Sequence, residues 1–152
     1  MRRRTRLVLI FAAAVLFLVL SALLTRALSV PGAERSAITS LLEAEARGDQ
    51  AAMVGELHRC ATSVACRARV ALDVAYLRRP GKVLILELNP SAGFSLGSTV
   101  GTARVAWRAG GALPIVQCVR VARAGNVLGG FHVQLLELSV RIKTDGDCPA
   151  RY

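Results

Sequence analysis

Ala75-Tyr76-Leu77-Arg78-Arg79-Pro80-Gly81-Lys82-Val83-Leu84-Ile85-Leu86-Glu87-Leu88 is where the periodicity of this chain changes. Before Pro80-Gly81 the apolar residues recur at helical spacing. After it they run continuously or alternate, as strands do. Pro followed by Gly stops a helix, because Pro cannot donate and Gly accepts backbone angles that other residues avoid. The stretch therefore separates a helical half from a β half. Runs of helices followed by runs of strands mean an α+β fold rather than a parallel α/β one.

Upstream, Ala33–Arg47 is the first helix of the domain, with Ile38, Leu41 and Leu42 in one stripe. Gly48 ends it, and Asp49 caps a second helix from Gln50 to about Arg59 with Met53, Val54 and Leu57 at core spacing. Ala61-Thr62-Ser63 is a turn, and a third helix covers Val64–Arg79. Val70, Val74 and Leu77 cluster on its wheel, and Ala71, Leu72, Ala75 and Tyr76 widen the arc, which predicts packing on both sides.

Downstream, Val83–Leu88 is a short strand in which Glu87 reads as an edge charge against aggregation. Thr99–Arg108 alternates, with Ala103, Val105 and Trp107 on one face and Thr102, Arg104 and Arg108 on the other. Gly110-Gly111 turns into Leu113–Arg123. Gly125-Asn126 and Gly129-Gly130 mark a turn into the longest strand, Phe131–Lys143. Hairpin after hairpin predicts a curved antiparallel sheet of about four strands with the three helices on its concave side.

The N-terminus stands apart. Arg2, Arg3, Arg4 and Arg6 precede Leu7–Leu24, which holds no charge and only Ser21 as a polar side chain. As a helix this run spans roughly 27 Å, close to the hydrocarbon thickness. It is long for a cleaved signal, so an uncleaved single-pass anchor is favoured. Ala27-Leu28-Ser29 keeps cleavage near Ser29, and secretion, as the alternative. The arginines ahead of the run put the N-terminus in the cytoplasm and the rest of the chain outside the membrane. The boundary falls at Pro31-Gly32, with a tip and anchor over 1–30 and an extracytoplasmic domain over 31–152.

The net charge of +10 does not mark a nucleic-acid binder. Arg2, Arg3, Arg4, Arg6 and Arg26 flank the apolar run, and from Pro31 onward 15 basic residues face 10 acidic ones with no basic block. Cys60, Cys66, Cys118 and Cys148 all lie in the exported part, an even number that means two disulfides in an oxidising compartment. Of the three connectivities, Cys60–Cys66 with Cys118–Cys148 is favoured, because Cys60 and Cys66 flank a helix–helix turn.

The layout resembles the nuclear transport factor 2-like (cystatin-like cone) superfamily over about residues 33–143, in particular its small exported or anchored bacterial members. The step Leu41-Leu42-Glu43-Ala44-Glu45-Ala46-Arg47-Gly48-Asp49 and the long hairpins at 97–110 and 113–142 carry the resemblance. It implies a cone pocket. That superfamily holds isomerases and hydrolases as well as non-catalytic binding and assembly modules, so fold does not settle activity.

Tyr76, Trp107, His132 and Gln134 are the candidate pocket side chains. His132 and Gln134 share a strand face with Leu136 and Leu138 by alternation. Asp73 reads as a helix-face ion pair with Arg69, four residues earlier. As a pocket acid with Tyr76 or His132 it would support a small isomerase or hydrolase. His58 and Cys60 make neither a zinc framework nor a nucleophile pair, and no phosphate loop or nucleophile elbow is present. No catalytic residue, metal or cofactor is assigned. The expected function is a membrane-anchored, non-catalytic envelope module that binds a small apolar ligand or a partner protein, with an envelope sensor not separable from it.

Overall fold

The computed structural model describes residues 2–91, 98–126, 130–143 and 146–149, and the side chains of these except 2–6, 26–29 and 126. The described chain has three α-helices: α1 (Arg2–Arg47), α2 (Gln50–Glu56) and α3 (Val64–Leu77), with a 3-10 turn at Cys60–Thr62. Four strands follow: β1 (Val83–Asn89), β2 (Thr99–Ala109), β3 (Ile115–Asn126) and β4 (Gly130–Leu138). They form one antiparallel sheet in the order β1-β2-β3-β4. The α+β class and the meander follow the periodicity switch at Pro80-Gly81.

Pro31-Gly32, a breaker by composition and the boundary read from the sequence, does not interrupt the helix. The apolar run and the first domain helix are one helix, with Pro31 inside it. Pro removes one backbone hydrogen bond and costs about 3 kcal/mol in a helix interior. Burial on both sides of Pro31 offsets that cost. Val30, Glu34, Ile38, Leu41, Leu42 and Glu45 are buried and recur every three or four residues. Val30 and Glu34 share a face only if residue 31 is helical. Ahead of this stripe no residue from Leu7 to Leu24 is buried, and the helix is long and apolar enough to cross a membrane.

The expected caps are in place. Gly48, at φ 76°, ends α1, its N–H bonding the Glu45 carbonyl and the Asp49 N–H bonding the Ala44 carbonyl, both at 2.9 Å. The Asp49 carboxylate accepts from Ala52 N at 3.0 Å and opens α2. Ser63 Oγ accepts from Cys66 N at 3.2 Å and opens α3.

One apolar cluster takes side chains from all three helices and all four strands, with Ile38, Leu41, Met53, Val70, Trp107 and Leu138 among its largest members. In β2 the alternation holds: Ala103, Val105, Trp107 and Ala109 are buried. α3 departs from expectation. It buries Val70, Asp73 and Leu77 but leaves Leu72 and Tyr76 on an exposed outer face, so within this chain it is covered on one side only.

β4 is shorter than expected. Opposite Arg120 and Val121 the register shifts, so that Glu137 and Leu135 are paired and Leu136 is the extra residue of a bulge. After Leu138 the chain still bonds β3, Ser139 N to Cys118 O at 2.9 Å and Ile142 N to Val116 O at 2.8 Å. The free side of β4 is partly covered by Leu57 in a parallel bridge to Leu135, with His58 N bonding Leu135 O at 2.7 Å. β1 is an edge strand, and Glu87 sits exposed on it, 3.8 Å from Arg104. The turn residues at 127–129 and much of the loop after Asn89, with Phe94, lie outside the described residues.

A Cβ at Gly48 would stand 2.9 Å from the Arg78 Cδ, in addition to the cost of the left-handed backbone. Gly48→Ala should therefore lower the unfolding free energy by about 1–2 kcal/mol. Unchanged chemical denaturation would show that this cap does not hold the α1–α2 turn.

Candidate functional site

Polar groups are buried at two levels of α1. At the lower level, Arg123 of β3 donates from Nε (2.8 Å) and Nη2 (2.6 Å) to Glu34 Oε2, in an ion pair that is buried on both sides. Ser91 completes the shell, its N–H donating to Glu34 Oε1 at 2.8 Å and its hydroxyl to Oε2 at 3.0 Å. Gly101 makes room for Ser91, whose carbonyl a Cβ there would strike.

At the upper level a relay of side chains runs from β2 to α1. Trp107 Nε1–H donates to Gln117 Oε1 at 2.7 Å, and Gln117 Nε2 donates to Glu45 Oε1 at 2.9 Å and to the Ser139 carbonyl at 3.3 Å. Ser139 Oγ in turn accepts from Cys118 N at 2.8 Å, where the β4 ladder becomes irregular. Among the described residues Glu45 Oε2 has no hydrogen-bond partner, and neither has Asp73 Oδ2 on α3. Burial pushes the Glu45 carboxyl up to about 8, against the Gln117 hydrogen bond that lowers it and with the Asp73 charge that raises it. Burial likewise lifts Asp73 to about 7, against the lowering effect of Arg69. Glu45 is thus largely protonated at neutral pH.

Beside this relay a cleft of about 330 Å³ opens between the Leu57–Ser63 segment, the start of α3 and the end of β4. Leu57, Leu136 and Leu138 give it apolar walls, Arg59 and Arg69 bring cations to it, and His58 adds an imidazole. The Cys60–Cys66 disulfide closes the segment that forms one wall, and Cys118–Cys148 ties the C-terminal tail to β3. Both bridges match the favoured connectivity, and no described cysteine is free.

None of the four pocket candidates lines this cleft. Tyr76 is 72% exposed on the outer face of α3. Trp107 is fully buried in the core, its indole N–H spent on Gln117. His132 is exposed opposite Ala124, and Gln134 is half-buried opposite Ala122. Alternation places them with Leu138, but the bulge at Leu136 reverses the parity, so that Leu135 and Leu138 both face the core while His132 does not. Asp73 is buried, whereas Tyr76 and His132 are exposed. Arg69 lines the cleft and acts on Asp73 through its charge without an ion-pair contact.

Glu45 and Gln117 escaped the sequence reading. The signal for Glu45 was its place on the Ile38–Leu42 stripe, and for Gln117 its place inside the apolar run Ile115–Val121. Family models, curated proteins and solved structures give no match to this chain.

The raised carboxyls make stability depend on pH with a definite sign. Each holds its proton in the folded state to about pH 7 or 8, whereas the unfolded chain releases it near pH 4. The folded state binds more protons between those limits, so their contribution to stability falls as pH rises from about 4 to 8 and is flat above. Glu45→Gln should flatten the urea midpoint against pH over that window and raise it at pH 8. A variant with the same pH slope as the parent would contradict the assignment.

Proposed function

We propose that this protein is a single-pass, membrane-anchored module of the bacterial envelope that binds a small ligand or a partner protein and performs no chemistry. The observation that carries the reading is α1: one helix leads from an exposed apolar span into the core of the domain. An anchor continuous with the core holds the domain at a fixed height above the bilayer. Leu7–Leu24 would cross the membrane with Arg2, Arg3, Arg4 and Arg6 in the cytoplasm. The two disulfides fit an oxidising space outside it.

Val30 favours the anchor over the cleaved form. Cleavage after Ser29 would make Val30 the new terminus and bring a charged ammonium to a residue that is 7% exposed. The cone-type arrangement of the nuclear transport factor 2-like superfamily, with three helices against a curved sheet, remains the fold reading that the helix-then-meander order supports. The enzyme alternative needs Asp73 in one cavity with Tyr76 or His132, and the positions of those residues lend it no support.

The expressed full chain should stay in the alkali-washed membrane fraction at full-length mass. A protease added from the extracytoplasmic side should release most of the domain. A soluble species that begins at Val30 would contradict the anchor.

A further inference from the structure

The cleft beside Cys60–Cys66 has a chemistry of its own. Arg59 and Arg69 reach it from two elements, the α2–α3 connection and α3, and His58 adds an imidazole. Among the described residues no ion pair or hydrogen bond engages either guanidinium. The acidic lining residue, Glu137, has a partner of its own, Arg120 at 3.5 Å. The cleft is therefore lined by two arginines that no described ion pair or hydrogen bond engages, beside walls of Leu57, Leu136 and Leu138.

Arg59 is also the one described non-glycine residue at positive φ (58°, ψ 14°). Left-handed backbone costs an arginine energy, and it persists where the surroundings impose it. Here the Arg59 carbonyl accepts from Thr62 N at 3.3 Å and from Thr62 Oγ1 at 3.0 Å, and the disulfide closes the turn one residue later. A glycine would relieve the strain, yet the position carries a guanidinium.

We propose that this cleft is a binding site for a small monocarboxylate with an apolar body. The inference rests on the reading of the protein as a binding module and supplies its ligand class. A guanidinium fork pairs with a carboxylate through two parallel hydrogen bonds, and the leucine walls take the body. At about 330 Å³ the site stands at the small end of ligand pockets and suits a medium-chain or aryl acid. Glu137 at its edge disfavours a dianion.

The ligand comes from the aqueous envelope space rather than from the anchoring bilayer. Leu138 of the cleft adjoins Ser139, whose carbonyl bonds Gln117 and through it Glu45. Glu45 lies roughly 30 Å along α1 from Leu24, at 1.5 Å per residue. Headgroups of the anchoring membrane do not reach that height.

The test uses the full chain in phosphatidylcholine nanodiscs, with 4-phenylbutanoate as probe, its uncharged isostere 4-phenylbutan-1-ol beside it, and empty nanodiscs as blank. Calorimetry should show saturable binding of the acid and at least tenfold weaker binding of the alcohol. Arg69→Gln and Arg59→Gly should each weaken the acid at least tenfold, while Arg59→Gly keeps or raises the melting temperature because glycine suits φ 58°. Arg108→Gln, an exposed cation on β2 outside the cleft lining, should leave binding unchanged. Equal binding of acid and alcohol would overturn the carboxylate assignment but leave a binding module. Loss of affinity in Arg108→Gln equal to that in the cleft variants would reduce the effect to net charge and overturn it too. Saturable binding of neither probe would overturn the inference while the membrane-anchor result stands on its own.

Discussion

Everything in this structure hangs on the buried stripe of α1 and on the two carboxyls within it. Glu34 is held by Arg123 and Ser91, and Glu45 by Gln117. The two partners lie on the same strand, so the helix runs along β3 in the opposite direction. From Glu34 to Glu45 the helix covers roughly 17 Å, and from Gln117 to Arg123 the strand covers roughly 20 Å. The matching lengths let both contacts form at once. Removing one partner of a buried ion pair costs about 3–5 kcal/mol, because the other charge is left stranded. That energy is of the same size as the loss at Pro31, and it lies in the segment immediately after it.

The two levels differ in kind. The lower one is a saturated ion pair, in which both Glu34 oxygens accept hydrogen bonds. The upper one is under-satisfied, with one oxygen each of Glu45 and Asp73 left over. A core that wanted only stability would fill that level with apolar side chains. The under-satisfied level is also the one beside the cleft: Arg69 lines the cleft on one side and bears on Asp73 on the other.

Much of this was legible in the sequence. Pro80-Gly81 divides helices from strands, Gly48-Asp49 turns one helix into the next, and the cysteine spacing anticipates both bridges. Three features were not legible, each because a tertiary term outweighed a local one. Pro31-Gly32 reads as a breaker, yet burial of Val30 and Glu34 carries the helix through it. The face of His132 and Gln134 follows from alternation only if no residue is inserted, and the bulge at Leu136 leaves no mark in composition. Arg59 and Arg69 look like two more scattered arginines until the disulfide turn brings them to one cleft. Tyr76 and Trp107 both stand apart from this cleft, one exposed on the outer face of α3 and the other buried in the core.

The claim on which the rest depends is that the span and the domain share one unbroken helix. A double electron–electron resonance measurement on the full chain in nanodiscs, with spin-labelled non-natural residues at Leu24 and Glu43, tests it directly. Both positions are exposed. A continuous helix predicts a narrow distribution centred at roughly 28 Å between the two backbone sites. A broad distribution, or a centre well short of that distance, would mean that the chain breaks at Pro31 and that the domain swings free of its anchor.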